Sequence, residues 1–491
     1  MSTAATRYEP RARGRPAVAR RGTRKAAVLL IAVVATVLPV LALGTWSAFA
    51  LTRSLTSALV ATLYLLVNLL LLVDLLDLIL RVAFRRWHRQ TAGARCPTSV
   101  PRNVGAFTPY QMSLHLRPYA LLVSVHNAAE ELDDFLDAFA PYRDHLWVID
   151  DASTDDTWLR LQQSGVRCVR ASTNHKKPGA LKALLAHLPP EIATVVVLDP
   201  DVRILDQRRR QLPDLETVIF EFQQSRMAAA TPRIVVRPTS WLARMQAFEY
   251  DLACAIGRKS LVDHSITSGI AVYRRDALER ALDGHTLSVY AEDLQNALIL
   301  LGRGERIYYD ERLVVETEGK HTWGSWFSQR VGWSYGFLEV YTERFRDIPR
   351  CARGSWLYAY HFFVYMGLFG VPVQPLRLLT LGALALSTAN GLDFLLGLDW
   401  IPDTSMTAPT LFLSAYISYT VFALLASCYI APGPREWLVH APAIPVYFFY
   451  AAAQVLPATV GYLNWFLLQF GGGRLYRDHY AAESFVRNHR R

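Results

Sequence analysis

The 491-residue chain predicts an α/β domain inserted between α-helical segments that cross a bilayer. Three observations lead there. Apolar residues gather in long blocks towards both ends, basic residues flank those blocks, and the middle alternates short β-type runs with helical stretches. Apolar residues make up 52% of the chain and charged residues only 19%, which is more apolar than a soluble protein. The length exceeds one ordinary core and predicts several units.

Residues 1–25 form a basic tail, with Arg7, Arg11, Arg13, Arg15, Arg20, Arg21, Arg24 and Lys25 against Glu9. Residues 26–80 read as a transmembrane hairpin. The block 26–49 would extend about 36 Å as a helix, enough to cross a membrane. The block 55–80 lacks Lys and Arg. A cleaved signal peptide is the rival for the first block, but its apolar stretch is longer than a signal core. Asp74 and Asp77 near the end of the second block are expected to pair with Arg81 and Arg85 at the interface. Residues 355–470 return to apolar character in blocks at 355–371, 375–397, 409–430 and 437–470, the last interrupted by Pro442, Pro445 and Pro457. Four spans are expected there, one of the early blocks being open to an interfacial position. A basic tail follows over 471–491.

The net charge is +10. Its placement beside apolar blocks is the positive-inside pattern, not a nucleic-acid footprint. It predicts a multi-pass inner (plasma) membrane protein, in contact with anionic lipid, whose middle domain faces the cytosol. Cys96, Cys168, Cys254, Cys351 and Cys428 are scattered without metal-ligand spacing, which fits a reducing compartment.

The middle domain spans 100–345. Runs at Tyr119–Val125, 146–149 and Thr194–Leu198 alternate with helical stretches such as 132–139 and 157–163. That alternation predicts a mostly parallel sheet with ligands at the carboxyl ends of its strands. The motifs fall at such ends. In VIDDASTDDT (148–157), Asp150 and Asp151 can hold a base or ribose, while Ser153 to Asp156 can cap the next helix. VVVLDPD (195–201) ends in Asp199 and Asp201, two carboxylates suited to Mg²⁺ or Mn²⁺, although Asp and Pro also make plain turns. SVYAEDL (288–294) offers Glu292 and Asp293, an acid pair able to serve a general base or simply to start a helix. QRVGW (329–333) lies among Trp323, Trp326, Phe327 and Tyr335, either a stacking face for a ring or an interfacial aromatic belt.

In this order the motifs resemble family 2 glycosyltransferases of the membrane synthase type, such as cellulose, chitin, hyaluronan and poly-N-acetylglucosamine synthases. The resemblance covers roughly 119–335 and the arrangement of spans around it. It implies a GT-A fold, that of nucleotide-diphospho-sugar transferases. It further implies a UDP-sugar donor, Mg²⁺ or Mn²⁺, and inversion at the anomeric carbon. His126 then lies near the base. Asp151 is the uracil-binding acid, with Ala152 where Gly is usual. Lys177, in HKKPGAL (175–181), approaches the donor, and Asp199 and Asp201 hold the metal. Ser268 and Gly269, with Arg274 and Arg275 nearby, line the acceptor site together with Glu292. Asp293 is the general base, with Ala291 where Thr is usual. Gln329 and Trp333 match the last motif, but Gly332 stands where an arginine binds the diphosphate. Arg330 is the available substitute, pointing elsewhere on a helix.

The resemblance implies a polymerising enzyme that exports a β-linked polysaccharide. The alternative is transfer of one or a few sugars to a lipid acceptor such as a polyprenyl phosphate or a glycolipid. A non-catalytic membrane scaffold is the alternative of another class. Expected partners are the UDP-sugar, a carbohydrate or lipid-linked acceptor and membrane lipids, with room for a homo-oligomer or an accessory export subunit.

Overall fold

A computed structural model describes residues 115–204, 214–286, 290–397, 407–431 and 434–477, and parts of a helix within 62–84. The expected basic tail at 1–25, the block at 26–49, most of 55–80, Arg85, Cys96 and most of the final tail lie outside the described residues.

The middle domain starts with strand β1 (Tyr119–Val125), helix α1 (Ala129–Ala138), β2 (Leu146–Asp150), α2 (Thr157–Ser164), β3 (Arg167–Arg170), α3 (Lys176–Leu185), β4 (Thr194–Leu198) and β5 (Val202–Ile204). It continues with α4 (Leu215–Gln224), β6 (Ala229–Arg237), α5 (Trp241–Leu252), β7 (Ala271–Arg274), α6 (Arg275–Asp283), α7 (Glu292–Gly302) and β8 (Ile307–Glu318). The strands make one eight-stranded sheet in the order β3-β2-β1-β4-β7-β6-β8-β5. β1 and β4 are near-continuous apolar runs because both their faces are buried.

The sheet is mostly parallel, as expected, and mixed only because two strands are reversed: β6 and β8 run parallel to each other and in the direction of β4, while β7 and β5 oppose them. β3, β2, β1 and β4 are mutually parallel. β7 then runs antiparallel to both β4 and β6, and β5 antiparallel to β8. Short strands bounded by polar loops do not reveal their direction, so periodicity alone could not show this. In the parallel half the register sets Val125 opposite Asp150, and Val123 opposite Leu198. The carboxyl ends of β1, β2 and β4 therefore open onto one edge of the sheet.

Helices cover both faces. One core joins Leu181, Leu184 and Leu185 of α3 to Leu278 and Leu282 of α6 and Leu298 and Leu301 of α7. The other holds Leu132 and Phe135 of α1, Leu161 of α2, and Val218, Ile219 and Phe222 of α4. Within the expected capping stretch Ser153–Asp156 it is Asp155 that serves the start of α2, its carboxylate accepting the Thr157 N–H (3.1 Å). The residue before the helix is Asp156, which makes no capping bond. The Ser153 hydroxyl accepts the Asn127 N–H (2.9 Å), tying the loops after β1 and β2 together.

After β8 come α8 (Trp323–Glu343), α9 (Gln374–Leu396), α10 (Thr407–Ile430), α11 (Pro434–His440), α12 (Ile444–Ala453) and α13 (Val455–Gln469). A separate apolar cluster joins Leu242, Met245 and Phe248 of α5 to Trp326 of α8, Ala423 and Ala426 of α10, and Tyr447 and Tyr450 of α12. α13 lies so close along α8 that a Cβ on Gly461 would stand 2.6 Å from the Val331 carbonyl. Among the described residues, one helical run, Trp437–Gln469, is long and apolar enough to cross a membrane. The pair Trp356–Phe369 and Gln374–Ala385, bent by 55°, passes the same test together, and Ala415–Ile430 is shorter. Pro442 sits in a 3₁₀ turn and Pro445 in the first turn of α12, where a missing N–H is tolerated. Asp77 pairs with Arg81 at 2.9 Å.

Candidate active site

The loops after β1 and β2 build one wall. Asn127 and Ala152 both take left-handed backbone conformations, φ 53° and 60°. The Asp151 N–H donates to the Val125 carbonyl (2.8 Å). His126 Nδ1 carries a proton to the Asp151 carbonyl (2.9 Å). The Asp151 carboxylate accepts the His175 N–H (2.7 Å). Burial raises its pKa, and the His175 N–H and neighbouring imidazoles pull against that rise. Asp150 is fully buried. Its Oδ1 accepts the Ser153 N–H (3.0 Å), and its Oδ2 faces the Arg170 guanidinium at the end of β3 (3.1 Å) as an ion pair without a hydrogen bond.

The centre is organised by Lys177 in the first turn of α3. Its Nζ donates to Asp199 at the end of β4, to the Gly269 carbonyl (3.1 Å) before β7, and to Glu292 (3.0 Å) at the start of α7. Burial alone would lower the lysine's pKa, but Asp199 and Glu292 outweigh it and hold the ammonium well above its usual range. Gly269 lets the Lys177–Asp199 pair sit close: a Cβ would lie 2.5 Å from Asp199 Oδ2 and 3.0 Å from Lys177 Nζ and would push those side-chain ends aside. Ser268 is buried, its hydroxyl donating to the Ile270 carbonyl (2.6 Å).

Two further acids flank the lysine. Asp293 sits in the first turn of α7 and accepts the Leu294 N–H (2.8 Å). Burial, then the charge of Glu292, pushes its carboxyl up to about 6. Asp201 accepts the Thr317 hydroxyl of β8 (3.2 Å). Burial, then Asp199 and Glu131, pushes it to about 6 as well. Ala291, before α7, is left-handed at φ 52°.

The last motif borders this cluster: one turn beyond Trp333, Gly336 of α8 packs so closely on Tyr290 and Ala291, just before Glu292, that a Cβ there would lie 3.1 Å from Ala291 Cβ. The Arg330 guanidinium grips both Glu249 oxygens of α5 at 2.7 Å each. Tyr450 of α12 donates to the same carboxylate and accepts from Trp326 Nε1 (3.0 Å). Arg330 also lies 4.3 Å under the Trp333 ring. Trp333 is 41% exposed, beside Tyr250 with ring centres 6.2 Å apart. Gln329 is half-buried on the same helix. The structure thus brings Lys177, Asp199, Gly269, Glu292 and Asp293 together, sets Asp201 next to them, and commits Arg330 to Glu249.

Sequence reading missed Thr317, the Glu249 partner and the left-handed positions. Glu249 carried a signal in hindsight, an acid between Phe248 and Tyr250 on an apolar helix. The bond from Thr317 to Asp201 joins residues 116 positions apart and left none.

The donor set fits a divalent cation. Asp199 and Asp201 offer two carboxylates, and the like charges that raise Asp201 would be relieved by one. Among the described residues no group of three metal-ligating side chains occurs. The remaining ligands would come from phosphate oxygens and water.

Residues 120–282, about a third of the chain, match the family model described as Glycosyl transferase family 2. The chain therefore carries a family 2 glycosyltransferase domain, a GT-A-like α/β fold with a mixed sheet. It is a glycosyltransferase that works from a nucleotide-sugar donor. No curated protein matches the sequence significantly. Among solved structures, a mannosyltransferase from Pyrobaculum calidifontis in complex with GDP-Man and Mn²⁺ is 17% identical, covering 82% of this chain and 99% of its own, with a TM-score of 0.47. Glucosyl-3-phosphoglycerate synthase from Mycobacterium tuberculosis, in complex with phosphoglyceric acid, is 17% identical over 51% of this chain and 86% of its own (TM-score 0.32). GalNAc-T7 with UDP, GalNAc and Mn²⁺ is 12% identical over 51% and 55% (TM-score 0.33). Likenesses of this size carry no argument about substrate.

Proposed function

We propose that the protein is a membrane-embedded, inverting glycosyltransferase that uses a UDP-sugar to extend and export a β-linked polysaccharide. The observation that carries the transfer chemistry is Lys177 held between Asp199 and Glu292, next to Asp293 with its carboxyl near 6. Membrane embedding is supported by the C-terminal helices. Leu378, Leu392, Leu396, Ile417, Leu425 and Phe449 all turn large apolar side chains outward, as helices facing lipid do. The positive-inside tails support the orientation.

Asp199 and Asp201 would hold Mg²⁺ or Mn²⁺, which supplies positive charge to the leaving diphosphate when bound. Lys177 adds its own charge on the same side. Asp293 takes the proton from the acceptor hydroxyl. The hydroxyl oxygen bonds to the anomeric carbon from the face opposite the diphosphate. The bond from that carbon to the diphosphate oxygen breaks, and the nucleoside diphosphate leaves with the electron pair. His126 and Asp151 are assigned to the base, Ser268, Gly269 and Glu292 to the acceptor side, and Trp333 with Gln329 to stacking and holding the sugar.

A second reading has its own support. Gly332 brings no charge, and Arg330 is taken up by Glu249. That favours transfer of one or a few sugars to a lipid acceptor. Incubating the purified protein with single labelled UDP-sugars and Mn²⁺ separates the two. A high-molecular-weight product is expected. A single labelled lipid would replace polymerisation with the second reading, and no transfer from any nucleotide sugar would defeat both.

A further inference from the structure

The acid cluster holds more negative charge than Lys177 answers, and a diphosphate would add to it. Arg330 is paired with Glu249 and Gly332 is neutral, so α8 brings no uncommitted cation to the donor side. Lys320 stands two residues beyond the end of β8. Buried Gln246 clamps its backbone from both sides: the Lys320 N–H donates to Gln246 Oε1 (3.0 Å), and its carbonyl accepts from Gln246 Nε2 (2.9 Å). Gly319, just before it, is packed so tightly that a Cβ would lie 2.8 Å from Val236 Cγ1 and 2.9 Å from Ala243 Cβ. Three residues earlier, Thr317 donates to Asp201. The end of β8 is therefore pinned beside the acids, and Lys320 offsets the charge of Asp201. Its half-buried side chain forms no ion pair among the described residues.

We infer that Lys320 is a donor-binding residue that takes a phosphoryl oxygen of the nucleoside diphosphate from the Asp201 side. The assignment rests on the UDP-sugar reading above. It supplies from β8 the positive charge that Gly332 leaves out of α8.

The test compares purified full-length protein with Lys320→Gln and Lys320→Arg. Affinities for UDP, UMP and uridine are measured by calorimetry with Mn²⁺ and again in EDTA. Lys320→Gln is expected to weaken UDP by about tenfold or more, as for loss of one charged hydrogen bond, and to leave uridine unchanged. Lys320→Arg should retain most of the UDP affinity. Thermal unfolding should not move, because Gln246 holds the backbone of residue 320 and not its side chain. Equal UDP affinity in Lys320→Gln and the unaltered protein overturns the assignment. So does an equal loss for UDP and uridine, which would mark a distorted loop. No UDP binding by the unaltered protein overturns the UDP reading beneath it.

Discussion

Asp293 can accept a proton only while ionised, and its carboxyl is pushed up to about 6, first by burial and then by Glu292. Turnover at saturating donor should fall about tenfold per pH unit below that value. Asp293→Asn should lower turnover by about 10²- to 10³-fold while nucleotide affinity holds; wild-type turnover in Asp293→Asn would remove it as the base. Both Asp293 and Asp201 bind protons more tightly folded than unfolded, so ionising them above about 6 costs stability at these positions. Backbone strain gathers in the same place. Ala152 and Ala291 hold left-handed conformations that a side chain disfavours. Ala152→Gly should therefore raise stability, by up to about 1 kcal/mol, seen as a higher thermal midpoint. An unchanged or lower midpoint would show that the loop is not strained there. The resemblance placed a glycine at 152, and the positive φ gives the physical reason. The role of Gly269 was legible only as a motif letter, because that role comes from Asp199 and Lys177, brought close by chain far away in sequence.

At the scale of elements, α8 is held to α5 and α12 by Arg330, Glu249, Tyr450 and Trp326. Glu249→Gln leaves a buried guanidinium with one good partner fewer. It should cost about 3 kcal/mol, discounted somewhat because Glu249 is partly exposed. The check is thermal unfolding, where a midpoint within error of wild type would show the pair to be incidental. A reduced rate with unchanged UDP affinity would place its effect on the acceptor side. The central strands were readable almost to the residue, because β1 and β4 are buried apolar runs bounded by turn chemistry. The order of strands after β4 was not. Neither the return of β7 nor its pairing with β6 leaves a periodic trace, and the use of Arg330 depends on Glu249, 81 residues away.

At the scale of the whole molecule, membrane extraction tests the architecture. The protein should stay in the pellet after alkaline carbonate and be released by detergent, as apolar outward faces on α9, α10, α12 and α13 require. Release by carbonate would defeat the embedded reading. EDTA should abolish sugar transfer and Mn²⁺ or Mg²⁺ restore it, whereas full activity in EDTA would take the metal out of the proposal.

The short join between β8 and α8 carries a consequence for how substrates arrive. β8 ends at Glu318 and α8 begins at Trp323, a step of no more than about 18 Å even when fully extended. Through Thr317 the strand touches Asp201, while α8 lies against the apolar C-terminal helices. On the membrane reading, chemistry then proceeds within a nucleotide's length of the bilayer surface. An acceptor confined to that surface searches two dimensions instead of three, and its effective concentration at Asp293 is set by its density in the leaflet. Diluting such an acceptor in lipid should slow the reaction, and diluting it in buffer should not.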